Sequence, residues 1–117
     1  MMSAVEWLVE LTVATGEAPE ARALLDEMAN ANANEPGTET WRWFLTEDES
    51  RVAILERFTD EAAAMQHLEN FGAFVPRFLA LLTPVGFRVL AAPSQELRDA
   101  VAGFAPTFFA SGGGFRR

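Results

Sequence analysis

Few residues in this chain can do chemistry. His67 is the one histidine, and the sequence contains no cysteine, lysine or tyrosine. Thiolate nucleophiles, cysteine-based metal sites, Schiff-base lysines and tyrosine acids are therefore excluded. An imidazole titrates near neutrality, so His67 can take a proton from an acidic group. Glu56 lies in the strand-like run Leu55-Glu56-Arg57-Phe58. An inward carboxylate there could orient His67 or meet a ligand. Trp7, Trp41 and Trp43, with Phe71 and Phe74, offer flat walls for an aromatic ligand. Arg57 and Arg77 could hold an anion.

Each of these residues also has a plainer role. His67 can be a half-buried helix residue bonded to a neighbour. Glu56 can pair with an arginine such as Arg42 or Arg88, because inward carboxylates are usually paired. Glu6 and Glu10 invite the same reading more strongly. The tryptophans can be core or interface packing, and Phe71, Phe74 and Phe78 form a stripe suited to a helix core face. Gly112-Gly113-Gly114 lacks the strand, helix and lysine of a phosphate loop and reads as a flexible tail. Its neighbours Phe108, Phe109 and Phe115 favour burial, so the tail is expected to pack across a partner subunit or over a pocket mouth.

The elements that must position these groups follow from periodicity. Val5, Trp7, Val9, Leu11 and Val13 alternate with more polar residues, which predicts a strand ended by Gly16. Pro19 suits a first helical turn, and Ala21, Leu24, Leu25 and Met28 recur at helical spacing over about four turns. Glu35-Pro36-Gly37 reads as a turn, with glycine supplying a positive φ. Strands are expected over Thr38–Thr46 and Arg51–Phe58, joined by the polar loop Glu47–Ser50. Pairing Thr46 with Arg51 sets Trp41 opposite Glu56 and Trp43 opposite Ile54. Thr59 or Asp60 can cap a helix whose apolar face carries Ala64, His67, Leu68, Phe71, Phe74 and Phe78. Gly72 and Pro76 predict a break in it. Pro84 opens a fourth strand with Val85, Phe87 and Val89 on one side. Ser94 caps a helix Gln95–Ala102 that Gly103 closes.

The order is β-α-β-β-α-β, a ferredoxin-like α+β arrangement with a four-stranded antiparallel sheet. Residues 1–92 form the expected domain, and 93–117 a C-terminal helix and Phe/Gly-rich tail. Leu8, Phe44, Leu55 and Leu90 make the second sheet face too apolar for open water. A second copy of the sheet would cover it, so a homodimer closing a barrel is expected. At 117 residues, half of them hydrophobic, the chain is read as one globular domain. A net charge of −8 opposes binding to nucleic acid or an anionic membrane. No apolar run approaches the ~20 residues of a membrane span, and the N-terminus lacks a secretory pattern. A cytoplasmic location is the expectation.

Glu35-Pro36-Gly37-Thr38, Leu55-Glu56-Arg57-Phe58, Asp60-Glu61-Ala62-Ala63 and His67-Leu68, in that order and spacing, resemble the antibiotic-biosynthesis monooxygenase family. The resemblance covers roughly residues 4–91. It implies a dimeric α+β barrel and, in some members, a cofactor-independent oxygenase. Such an enzyme oxidises a small phenolic or quinol-type compound with O2, using neither metal nor flavin. His67 would then be the base, Glu56 its polar partner, and the tryptophans and phenylalanines the substrate-binding walls. A heme-degrading branch carries its iron ligand further along the second helix. Near Arg77 this chain has no histidine there, so heme is not expected. A non-catalytic small-molecule-binding or structural homodimer on the same scaffold explains the same residues without chemistry.

Overall fold

The computed structural model describes residues 3–117. The first two residues of the expected 1–92 domain lie outside the described residues. Strand β1 is Val5–Val13, helix α1 Ala18–Asn32, β2 Thr38–Leu45, β3 Arg51–Phe58, α2 Glu61–Phe71, α3 Val75–Leu81, β4 Leu82–Val89, α4 Gln95–Val101 and β5 Thr107–Phe108. The sheet runs β2-β3-β1-β4-β5. Its first four strands are antiparallel, as the ferredoxin-like order requires.

The β2–β3 hairpin has the register expected from its loop. The Thr46 amide donates to the Arg51 carbonyl at 3.0 Å. Trp41 pairs with Glu56, and Trp43 with Ile54. On β1, alternation places Val5, Trp7 and Leu11 against the helices, each at most 2 % exposed. Two core clusters fill the space between sheet and helices. One joins Leu11, Leu24, Met28, Ile54 and Phe78; the other joins Trp7, Phe58, Ala64, Phe87 and Leu97.

Three local readings need correction. Gly37 has no positive φ. A side chain there would collide with Ala63 Cβ, so glycine serves a close approach of the turn to α2. Strand β4 begins at Leu82, two residues before Pro84, and its register against β1 shifts between Glu10 and Leu11. The resulting bulge turns Val85 out to solvent, while Phe87 and Val89 stay inside. The C-terminal helix is closed by the short 3-10 turn Ala102–Phe104 and by Ala105 at φ 53°, where Gly103 was expected to do so.

The tail also departs from the four-stranded picture. Thr107 and Phe108 add a fifth strand, parallel to β4 at Arg88 and Val89. The free edge of β4 supplies the unpaired backbone groups that draw it in, and the Phe109 amide donates to the Val89 carbonyl at 2.8 Å. Beyond it, Phe109 and Phe115 are exposed. No helix among the described residues is long and apolar enough to cross a membrane.

Candidate functional site

The break between α2 and α3 falls where Gly72 and Pro76 put it, and it leaves α2 as a short helix laid on the sheet. Asp60 caps α2 by accepting from the Ala63 amide at 2.9 Å. Ala64 and His67, three residues apart, both face the sheet and are buried. His67 therefore enters the core at 4 % exposure, directly above Glu56 of β3 at 6 %.

The imidazole is held between two carboxylates. Nδ1 lies 2.8 Å from Glu35 Oε1, and Nε2 lies 2.9 Å from Glu56 Oε1. The Glu35 contact is a well-aligned hydrogen bond. The Glu56 contact has ion-pair distance without hydrogen-bond alignment, so Glu56 Oε1 is buried with no aligned donor. Burial by itself would lower the His67 pKa. The close contact and charge of Glu56, then the hydrogen bond and charge of Glu35, outweigh it and hold the ring above its ordinary 6.5.

Glu35 is the residue that sequence reasoning passes over, because it reads as the first position of a turn. The turn aims its side chain at α2. Oε1 accepts from Thr38 Oγ1 at 2.7 Å, and Oε2 accepts from Asn70 Nδ2 at 2.8 Å. Burial raises the Glu35 pKa, but the bonds from Asn70, His67 and Thr38 prevail and keep it below the ordinary 4.5. Gly37 fixes the turn against α2, and its carbonyl accepts from the Thr59 amide at 2.9 Å. The available signal was a carboxylate held rigidly one residue before Pro-Gly.

His67 and Glu56 lie in the wall of a mostly apolar cavity between sheet and helices. Trp7, Trp41, Phe71, Phe78, Phe87 and Phe104 supply its aromatic lining. The cavity gives about 50 Å³ to the centres of water-sized molecules, and the empty space within its walls, mouth included, is about 540 Å³. A water needs roughly 10–15 Å³ on the first measure, so several small molecules fit, while a larger ligand needs its walls to move. Phe71 stacks on the imidazole at 6.5 Å, and Phe104 meets Phe71 at 6.4 Å and Phe87 at 5.9 Å. The start of the C-terminal extension thus forms part of the cavity.

Five of the expected site residues come together here: His67, Glu56, Trp7, Trp41 and Phe71. Trp43 and Phe74 do not join them and pack against the α1 side of the core. Glu56 does not pair with Arg42 or Arg88. Arg88 meets Glu10 at 3.4 Å on the open face, and Arg42 lies over the Phe44 ring. Arg57 is also on the open face, between Glu6 and Glu39. Arg77 pairs with Glu27 at 2.8 Å in solvent, away from the cavity. The two carboxylates sit on opposite ring nitrogens and so do not converge. Among the described residues no group of three or more His, Cys, Asp or Glu side chains is placed to hold a metal ion.

The family profile for antibiotic biosynthesis monooxygenases matches residues 5–80. The chain belongs to that family. Its residues 5–80 run from β1 through α3 and contain Glu35, Glu56 and His67. MupZ from Pseudomonas fluorescens has a similar fold, with TM-score 0.88 at 17% identity over 98% of this chain and 95% of that one. The similarity to MupZ therefore extends through the C-terminal extension. Rv0793 from Mycobacterium tuberculosis is similar with TM-score 0.68 at 24% identity, over 80% of this chain and 98% of that one. SnoaB, a cofactor-independent oxygenase from Streptomyces nogalater, gives 0.67 at 20% identity, over 80% and 96%. At these identities the likenesses speak for the fold alone. No curated protein sequence matches this chain.

Proposed function

We propose that this protein is a cofactor-independent monooxygenase acting on a small phenolic or quinol-type compound. His67 and Glu56 would take the substrate proton, and Trp7, Trp41 and Phe71 would hold the ring. The observation that carries the reading is the His67–Glu56 pair in the wall of an apolar aromatic cavity, with Glu35 fixing the far nitrogen. Family membership and the likeness to SnoaB support the oxygenase class.

The chemistry balances without a further reductant when the substrate carries a methylene activated by phenolic rings. The pair removes one proton, and the resulting carbanion gives its electrons to O2. Carbon and oxygen then join as a peroxide, which collapses to a ketone. The pair first gives its proton to the outer peroxide oxygen, then takes the second C–H proton as the O–O bond breaks, and hands that proton to the departing hydroxide as water. The overall change is R2CH2 + O2 to R2CO + H2O. The chain would contribute proton transfer, orientation and exclusion of water.

Two copies would pair through the open sheet face, where Phe44 and Leu90 are each 46 % exposed. Oxygen uptake with a panel of hydroquinones and anthrone-type compounds tests the enzyme reading. His67→Ala should lower the rate about 10²–10⁴-fold. Unchanged uptake in that variant removes His67 from the mechanism. The narrow cavity supports a second reading, a non-catalytic small-molecule-binding homodimer. Saturable binding of an aromatic ligand with no uptake from any panel member selects it.

A further inference from the structure

We propose that Glu56, His67 and Glu35 form a proton path from the cavity to solvent, with Glu56 as the entrance and Glu35 as the exit. The inference rests on reading the cavity as the reaction site. It gives Glu35 a role beyond orienting the ring.

The geometry is a continuous line of three ionisable groups drawn from three elements. Glu56 comes from β3, His67 from α2, and Glu35 from the turn before β2. Both steps are short, 2.9 Å from Glu56 Oε1 to Nε2 and 2.8 Å from Nδ1 to Glu35 Oε1. The inner end is buried, Glu56 Oε1 lies against Nε2 with no aligned donor, and Glu56 is part of the cavity wall, where its carboxylate would meet a hydroxyl or acidic C–H group of a ligand. The outer end belongs to a surface turn. The Glu35 side chain, 9 % exposed, stands between exposed Asn34 and exposed Pro36, and its second oxygen rests on exposed Asn70, through which it reaches water. Glu35 and Glu56 are the carboxylates paired with His67 among the described residues.

The transfer conserves protons at every step. Neutral His67 begins with its proton on Nδ1, donated to Glu35. A ligand X–H bond breaks and its proton forms the O–H bond of Glu56. Glu56 passes that proton to Nε2 as Nδ1 releases its own to Glu35. Glu35 loses it to water beside Asn70. When the reaction needs the proton back, the same steps run in reverse and restore the starting tautomer.

An arginine in the place of His67 would hold the two carboxylates as well, but it could not pass a proton on. Thr38 and Asn70 lock the exit carboxylate in position.

Because His67 is the one histidine in the chain, its ring protons give an unambiguous signal in 15N-edited NMR. Their exchange with water can be followed in the whole protein with no substrate and no oxygen. This measurement can therefore fail while the oxygenase reading stands, and the reverse. In the wild type, exchange should be independent of buffer concentration, because the catalyst is internal. Exchange that rises in proportion to buffer would mean that the ring simply opens to solvent, and it overturns the path. Glu35→Gln keeps a side-chain oxygen to accept from Nδ1 but cannot carry the proton. It should slow exchange about tenfold or more, while Glu35→Asp retains most of the rate. Exchange as fast in Glu35→Gln as in the wild type overturns the proposal. If Glu35→Gln does not fold, the buffer dependence of the wild type decides alone.

Discussion

Glu56 and Arg57 are neighbours in β3, yet they point into two different kinds of electrostatics. On the open face Arg57 meets Glu6 and Glu39, and Glu10 meets Arg51 at 3.0 Å and Arg88 at 3.4 Å, all in contact with water. On the covered face Glu56 meets His67 with almost no water in reach. An arginine keeps its charge at every relevant pH, so the pairs on the open face hold charge and move no proton. A histidine between two carboxylates holds charge at one pH and releases it at another. The same acidic residue is a surface fixture on one side of the sheet and titratable chemistry on the other.

The comparison is broken most severely by removing the imidazole. His67→Ala leaves Glu35 and Glu56 without their cation. A buried pair that loses one partner costs about 3–5 kcal/mol. Urea unfolding should show a loss of that size. A loss below about 1 kcal/mol would make the buried triad no different from the surface pairs.

A smaller change reaches the triad through the backbone. Gly37→Ala puts a methyl group into Ala63 Cβ, so the turn that carries Glu35 must move off α2. Overpacking of this kind costs about 1–3 kcal/mol. The His67 pKa, read by NMR, should fall toward its ordinary value as Glu35 withdraws. A destabilised protein with an unmoved His67 pKa would show that the turn does not position Glu35.

The pH dependence separates the two faces without mutation. The folded-state pKa of His67 is raised above 6.5, so its contribution to stability is full below 6.5 and is lost as pH rises through the folded value. The folded-state pKa of Glu35 is lowered below 4.5, so its contribution is present above 4.5 and is lost as pH falls through the folded value. The His67–Glu35 contact is therefore most stabilising between 4.5 and 6.5. Activity should run the other way. A base must first lose its proton, so kcat/KM should climb with pH above 6.5 where stability declines. Thermal melts and rates over the same pH series test both signs, and a melting temperature that keeps rising above neutral pH removes His67 from the account.

The sheet was legible because period-two alternation in β1, β2 and β3 is local and the hairpin loop sets its own register. That local logic put Trp41 opposite Glu56 from sequence alone. It failed at Val85, where a bulge inserts a residue that no alternation rule anticipates. It failed again at Thr107 and Phe108, whose strand character comes from the free edge of β4 and not from their own pattern. Two of the triad's three members were legible in the same way, because helical spacing turned His67 inward and pleating turned Glu56 inward. Glu35 was not, since its partner lies 32 positions away and the contact depends on a glycine fitting against Ala63. Trp43 and Phe74 look the same as Trp41 and Phe71 in composition. Only their place along strand and helix keeps them out of the cavity.

The smallest expected effect belongs to the open face. Glu10→Gln removes the partner of Arg51 and Arg88, whose side chains are 53% and 47% exposed. In dilute solution the cost should stay under about 1 kcal/mol, because water screens such pairs. It should shrink further in 1 M salt, where the screening length is about 3 Å. The measurement becomes informative when repeated at rising protein concentration. If two copies lay these faces together, Glu10 leaves water, and Glu10→Gln should then shift the dissociation of the pair. A cost that stays small and salt-sensitive at every concentration would mean that nothing covers Leu8, Phe44 and Leu55. The open face would then be only the solvated back of the sheet, and pairing through it would be ruled out.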